Sequence, residues 1–237
     1  MQAIILAGGL GTRLRPTVGD VPKSMAAVGG RPFLEHLLHQ LQRAGFDSVV
    51  ICAGYRADQV TAHLNDGTAY GLAIEISTEE QPMGTGGALK LAEPLLRGDR
   101  WLLMNGDSYF DIPLDDLVRH HEAAKARATI ALVRVDDAAR YGAVSLDDGG
   151  AVTAFVEKGT TSGAASINAG LYVIEREVLA LIPAGTAVSL ERDVLPALIG
   201  RGLHGVEFEG FFIDIGVPAD YDRAQHSAEL GGQPPQA

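Results

Sequence analysis

Cysteine occurs once in 237 residues, at Cys52, and tryptophan once, at Trp101. A single cysteine excludes an internal disulfide framework and sets the expectation of a reducing compartment, the cytoplasm. No apolar run approaches the roughly 20 residues that a bilayer crossing needs. No basic stretch precedes the short apolar opening, so neither a membrane partner nor an export signal is expected. Positive charge is scarce too: 19 Lys and Arg stand against 30 Asp and Glu, a net −11. That sign argues against a nucleic-acid partner, because phosphate backbones attract the opposite one. Pro- or Ser-rich linkers and internal repeats are missing. One domain over residues 1–228 with a flexible tail, 229–237, is therefore the expected organisation.

What cation there is lies at one end. The first 31 residues hold Arg13, Arg15, Lys23 and Arg31 against Asp20 alone, a local +3 that leaves −14 on the rest. A basic segment on an acidic body suits a small anion held at one place; a solvated loop is the plainer reading.

Apolar residues, 46% of the chain, fall into short runs. Met1–Ala7, Ser48–Ala53, Leu72–Ile76, Trp101–Met104 and Ala128–Val135 read as strands. Helical spacing separates them at Phe33–Ala44, 58–64, Gly86–Leu96 and Leu114–Ala126. Later the rhythm changes. Ala143–Leu146 and Val152–Val156 flank Asp147-Asp-Gly-Gly150, a hairpin signal. A strand at Ala169–Ile174, a helix at Leu190–Leu198, a strand at Phe211–Ile215 and a helix from Pro218 complete the reading. The fold class expected is α/β: a Rossmann-like, mixed but mostly parallel sheet flanked by helices, with antiparallel strands added in the second half. Ligands of such sheets collect beyond the carboxyl ends of the strands.

The strongest local signal is Leu6-Ala-Gly-Gly-Leu-Gly-Thr-Arg-Leu14, followed by Pro22-Lys23. Glycines directly after a buried strand let backbone N–H groups approach a polyphosphate. Arg13 adds a planar fork of donors and Lys23 a movable point charge. No Gly-x-x-x-x-Gly-Lys-Ser/Thr exists, which excludes a P-loop. Leu14 stands where a dinucleotide fingerprint needs its third small residue.

This opening, then Pro22-Lys23-Ser-Met, Pro82-Met-Gly-Thr-Gly-Gly87, Asn105-Gly-Asp107, Tyr141-Gly-Ala, Phe155-Val-Glu-Lys158, Ile167-Asn-Ala-Gly170 and Asp214-Ile-Gly216, resembles in chain order the sugar-1-phosphate nucleotidyltransferases. The likeness runs to about Gln225. Within that family the D-glycero-D-manno-heptose 1-phosphate guanylyltransferases are most similar, through the Gly-Thr-Gly-Gly loop and the pattern Phe212 to Tyr221. Ser24 departs from the family, which usually has Pro after the lysine.

The resemblance implies an enzyme that joins a sugar 1-phosphate to a nucleoside triphosphate, GTP first, with Mg²⁺ as cofactor. Nucleotide contacts are then expected at Leu6, Ala7, Gly8, Gly9, Gly11, Thr12, Arg13, Gln81, Gly84, Thr85 and Asp107. Guanine presents N1–H and N2–H donors, so acceptors are wanted near Pro82: Gln81, Glu79 or Glu80. Metal binding falls to Asp107 and Asp214, hard oxygen ligands that suit Mg²⁺. Arg13, Lys23 and Lys158 become the catalytic cations, and Gly142, Glu157, Lys158 and Asn168 the sugar contacts. Mannose 1-phosphate with GTP, a uridylyl transfer, and a non-catalytic nucleotide-sugar-binding subunit are the alternatives; a homo-oligomer is left open. His120-His121 reads as a solvated surface pair and Cys52 as an inert core residue.

Overall fold

The structure, a computed structural model, describes residues 1–138, 141–156 and 163–232. Its strands are β1 (Gln2–Ala7), β2 (Ala27–Val28), β3 (Arg31–Pro32), β4 (Ser48–Ala53), β5 (Ala73–Thr78), β6 (Arg100–Asn105), β7 (Ser108–Phe110), β8 (Ala128–Val135), β9 (Ala143–Leu146), β10 (Val152–Val156), β11 (Ala165–Glu175), β12 (Leu203–Phe208) and β13 (Phe212–Asp214). Its helices are α1 (Arg15–Val18), α2 (Phe33–Arg43), α3 (Ala57–Leu64), α4 (Gly84–Leu91), α5 (Leu114–Ala124), α6 (Leu195–Ala197) and α7 (Pro218–Gln225).

Nine strands form one sheet. Across it run β5, β4, β1, β6, β11, β8 and β12, while β9 and β10 branch from the start of β11. The pairs β5–β4, β4–β1 and β1–β6 are parallel, so all four strands end at one edge. β11 enters antiparallel to β6 and bonds β8 on its other side. Because Leu171 pairs with Met104, residues before Leu171 extend past the carboxyl end of β6, towards the same edge. The expected architecture is the one found.

Alternate residues of the central strands face two cores. Ala3 and Ile5 pack on one side with Phe33, Leu34, Leu37, Leu38 and Leu41 of α2. Ile4 and Leu6 face the other, with Leu89, Trp101, Leu103 and Tyr172. The five α2 residues are fully buried, each contributing about 1.5–3 kcal/mol relative to exposure.

Several expectations need correction. His121 is not a surface residue: it is 1% exposed. One ring nitrogen lies 2.9 Å from Thr129 Oγ1 and the other 3.1 Å from Glu175 Oε1. Burial accordingly pushes the imidazole below its ordinary pKa. The helix expected over Leu190–Leu198 is a single π turn, Leu190–Val194, running into the short α6. Pro94 interrupts the helix expected over Gly86–Leu96, leaving α4 and a separate 3₁₀ turn, Glu93–Leu95. Leu230, placed in the tail by sequence, is buried in the core, so the packed chain passes residue 228. Cys52 is buried as expected, its thiol pushed up to about 12 by that burial. Among the described residues no helix is long and apolar enough to cross a membrane.

Candidate functional site

The shared carboxyl edge of β1, β4, β5 and β6 opens into a cavity of about 350 Å³. Eight of the expected residues line it: Leu6, Ala7, Gly8, Gly9, Lys23, Gly84, Thr85 and Asp107. Glu79, Asn105 and Ser24 join them. Each arrives by a simple route. β1 delivers Leu6 and Ala7 and breaks into the glycine loop. β6 pairs Asn105 with Leu6, which sets Asp107 two residues past the edge. β5 ends at Thr78, so Glu79 is the first residue beyond it.

Asp214 comes from far along the chain through the ribbon β13–β7, in which it pairs with Ser108. That register brings it beside Asp107. Lys23 binds both: its Nζ lies 2.5 Å from Asp107 Oδ2 and 3.5 Å from Asp214 Oδ1. One ammonium thus faces two carboxylates. The Lys23 side chain is 12% exposed, whereas the two aspartates keep about a third of their surface in solvent. Burial, and then the neighbouring Asp107 carboxylate, hold Asp214 above the ordinary carboxylate pKa, against the pull of Lys23 and of the Gly216 N–H.

A raised folded-state pKa means that the folded protein takes up a proton before the unfolded one does. Stability from this group is complete at low pH and is lost as pH rises through the folded value. At neutral pH the Asp214 charge is consequently a cost to the fold. In metal-free buffer, Asp214→Asn is expected to raise the thermal midpoint at pH 7 and to flatten its dependence on pH above about 4. Melting curves of both proteins from pH 4 to 8 check this; a lower midpoint for the variant at pH 7 contradicts it.

The same pair bears on a cation. Two hard carboxylates with excess negative charge, reached by a single lysine, fit a divalent ion that takes one or two protein carboxylates and completes its shell with phosphate oxygens. Among the described residues no group of three or more His, Cys, Asp or Glu side chains is set to hold a metal by itself.

The glycines of the two loops do different work. A Cβ on Gly8 would lie 2.0 Å from Glu79 Oε1, so the close approach of that carboxylate to the loop requires glycine. Gly84 has φ +70°, and a Cβ there would lie 2.5 Å from the carbonyl oxygen of Val188. The next amides are committed as well: Gly86 and Gly87 N–H donate to Val188 O at 2.9 and 3.1 Å. Much of the glycine signal after Pro82 therefore reports a neighbouring chain segment rather than a ligand.

Other expected residues stand further off. Gly11 packs against the stem of Lys23. Thr12 and Arg13 are exposed at the loop and do not line the cavity. Gln81 and Glu80 are exposed outside it. Of the three acceptors considered near Pro82, Glu79 alone reaches it. Its Oε2 accepts the Met83 N–H at 2.7 Å, and burial raises its pKa despite that bond. Ala143 pairs antiparallel with Ile167, which sets Gly142 opposite Asn168 at the same sheet edge. Glu157 and Lys158 lie outside the described residues. Asn105 and Ser24 could have been read from the Asn105-Gly-Asp107 and Pro22-Lys23-Ser motifs, which contain them.

Comparison with known proteins follows this geometry. The model of a family described as Nucleotidyl transferase matches residues 2–229. The mannose-1-phosphate guanylyltransferase of Mycobacterium tuberculosis is 40% identical over 233 residues, covering 97% of this chain. The match covers 64% of that relative, so the chain spans just under two thirds of its length. The D-glycero-alpha-D-manno-heptose 1-phosphate guanylyltransferase of Aneurinibacillus thermoaerophilus is 35% identical over 226 residues, 95% of this chain and 97% of that one. Among solved structures, HddC from Yersinia pseudotuberculosis complexed with GMP-PN matches with a TM-score of 0.82 at 32% identity, over 94% of this chain and 97% of that chain.

Proposed function

The chain belongs to the nucleotidyl transferase family, and on that premise we propose that it joins a manno-configured sugar 1-phosphate to GTP, releasing pyrophosphate. The observation that carries this is Lys23 held between Asp107 and Asp214 on the cavity that the glycine loop opens. The two named relatives act on sugars that share the manno ring and differ beyond C6. D-glycero-D-manno-heptose 1-phosphate is the first acceptor of this proposal. The 40% identity to the mannose enzyme favours mannose 1-phosphate as a second.

A sugar 1-phosphate needs no general base, since a phosphate monoester with a second pKa near ~6 is mostly dianionic at neutral pH. One of its oxygens attacks the α-phosphorus of GTP; the new O–P bond forms as the bond to the β-phosphate oxygen breaks. The barrier is largely repulsion between two anions and charge spread in the transition state. Lys23 offsets that charge from the cavity wall. Arg13 on the exposed loop is assigned to the triphosphate, and Lys158 to the incoming sugar phosphate. Glu79, the acceptor that lines the cavity, is assigned to the guanine N–H donors. Asp107 and Asp214 would hold Mg²⁺, which supplies Lewis-acid neutralisation of phosphate oxygens when bound. Gly142, Glu157 and Asn168 are assigned to the sugar, whose hydroxyls match the donor and acceptor capacity of such side chains.

The test is pyrophosphate release from a panel of nucleoside triphosphates crossed with heptose, mannose, glucose and N-acetylglucosamine 1-phosphates, with and without Mg²⁺. GTP with a manno acceptor is expected to exceed every other pair by at least about tenfold in kcat/KM, as polar base readout allows. Equal use of UTP, or nucleotide binding without turnover, defeats the proposal.

A further inference from the structure

One polar cluster lies beneath the site and joins its two sides. Glu191 sits in the π turn Leu190–Val194, a backbone irregularity found frequently at functional sites. Its Oε2 accepts from Thr85 Oγ1 at 2.7 Å and from Ser189 Oγ at 3.1 Å. Its Oε1 accepts from the Tyr172 hydroxyl at 3.4 Å. Tyr172 is fully buried, and its oxygen in turn accepts from Asn168 Nδ2 at 2.8 Å. The Thr85 oxygen accepts the Leu190 N–H at 2.8 Å.

The direction of every bond follows from one charge. A carboxylate only accepts, so Thr85 and Tyr172 must both turn their protons towards Glu191. With its proton spent, the Tyr172 oxygen can only accept, and Asn168 must offer it its NH₂ group. Asn168 agrees independently, because its Oδ1 is taken by the Gly170 N–H at 2.9 Å. Beside the cluster, Asn105 has an Oδ1 that is buried and without a partner among the described residues, on a side chain that lines the cavity.

We propose that Glu191 is a positioning residue for both substrates. One carboxylate fixes Thr85 in the nucleotide loop and, through Tyr172, fixes Asn168 on the sugar side, so that removing its charge loosens the two sub-sites together. This rests on the two-substrate reading above.

Glu191→Gln tests it, since an amide has one acceptor oxygen and must turn NH₂ towards one donor. KM is expected to rise about tenfold for both the nucleoside triphosphate and the sugar 1-phosphate, with kcat changed less than about threefold. Two one-sided cuts separate the arms. Tyr172→Phe should raise KM for the sugar phosphate alone, and Thr85→Val KM for the nucleotide alone. A merely structural Glu191 lowers the thermal midpoint and the active fraction but moves neither KM, and that result overturns the inference. A change in only one KM for Glu191→Gln overturns it too. Should that variant not fold, the crossed pair decides, and unchanged KM values in both defeat the idea. A wild type that turns over no pair in the panel removes the functional reading and this inference with it. Turnover by the wild type with unaltered KM values in the variants removes this inference alone.

Discussion

Asp107→Asn is expected to lower kcat by on the order of 10³-fold or more while leaving the fold intact. The exchange keeps the shape of the side chain, and Asp107 retains about a third of its surface in solvent, so little packing is at stake. What it removes is a charge at the point where the proposed reaction brings its anions together. Groups that neutralise charge developing in a transition state are individually worth about 10²–10³ in rate, and a bound divalent ion adds several kcal/mol to that stabilisation. Steady-state pyrophosphate release at saturating Mg²⁺, with circular dichroism as the control for folding, measures the effect. A variant within tenfold of wild type would show that Asp107 holds no metal and that the site works by other groups.

Lys23→Met should have the second-largest effect, and a double one. Turnover is expected to fall at least about 100-fold, because the cation nearest the two aspartates is gone. Stability should fall as well. Breaking a fully buried pair costs about 3–5 kcal/mol; discounted for the partly exposed aspartates, about 1–2 kcal/mol remains. For a chain of this size that is a drop of roughly 2–8 °C in thermal midpoint. Added Mg²⁺ should restore part of the lost midpoint, since the ion takes over the charge that the ammonium balanced. Melting curves titrated with MgCl₂ test this, and a variant as stable as wild type without metal refutes it.

The parts of this fold that could be read from sequence are those set by local runs. Ser48–Ala53, Ala128–Val135 and Ala143–Leu146 are bounded on both sides by polar or glycine residues, and the strands have those limits. The convergence of Asp107 with Asp214 was legible only through the ordered motifs, because nothing local ties residues 107 positions apart. His121 escaped because its burial depends on Thr129 and Glu175, contributed by β8 and β11. The π turn escaped because Leu190, Val194 and Leu195 fit a helical stripe equally well. Glu191 carried no signal at all: the partners that matter sit at positions 85 and 172, and only the folded chain brings them to it.

The amides of Gly86 and Gly87 are spent on the carbonyl of Val188. The loop after Pro82 is thus half of a two-piece part. Anyone seeking to exchange base preference between relatives by transplanting that hexapeptide alone would import a turn without its mate. A graft that carries residues 186–191 along with it is the unit an engineer should move.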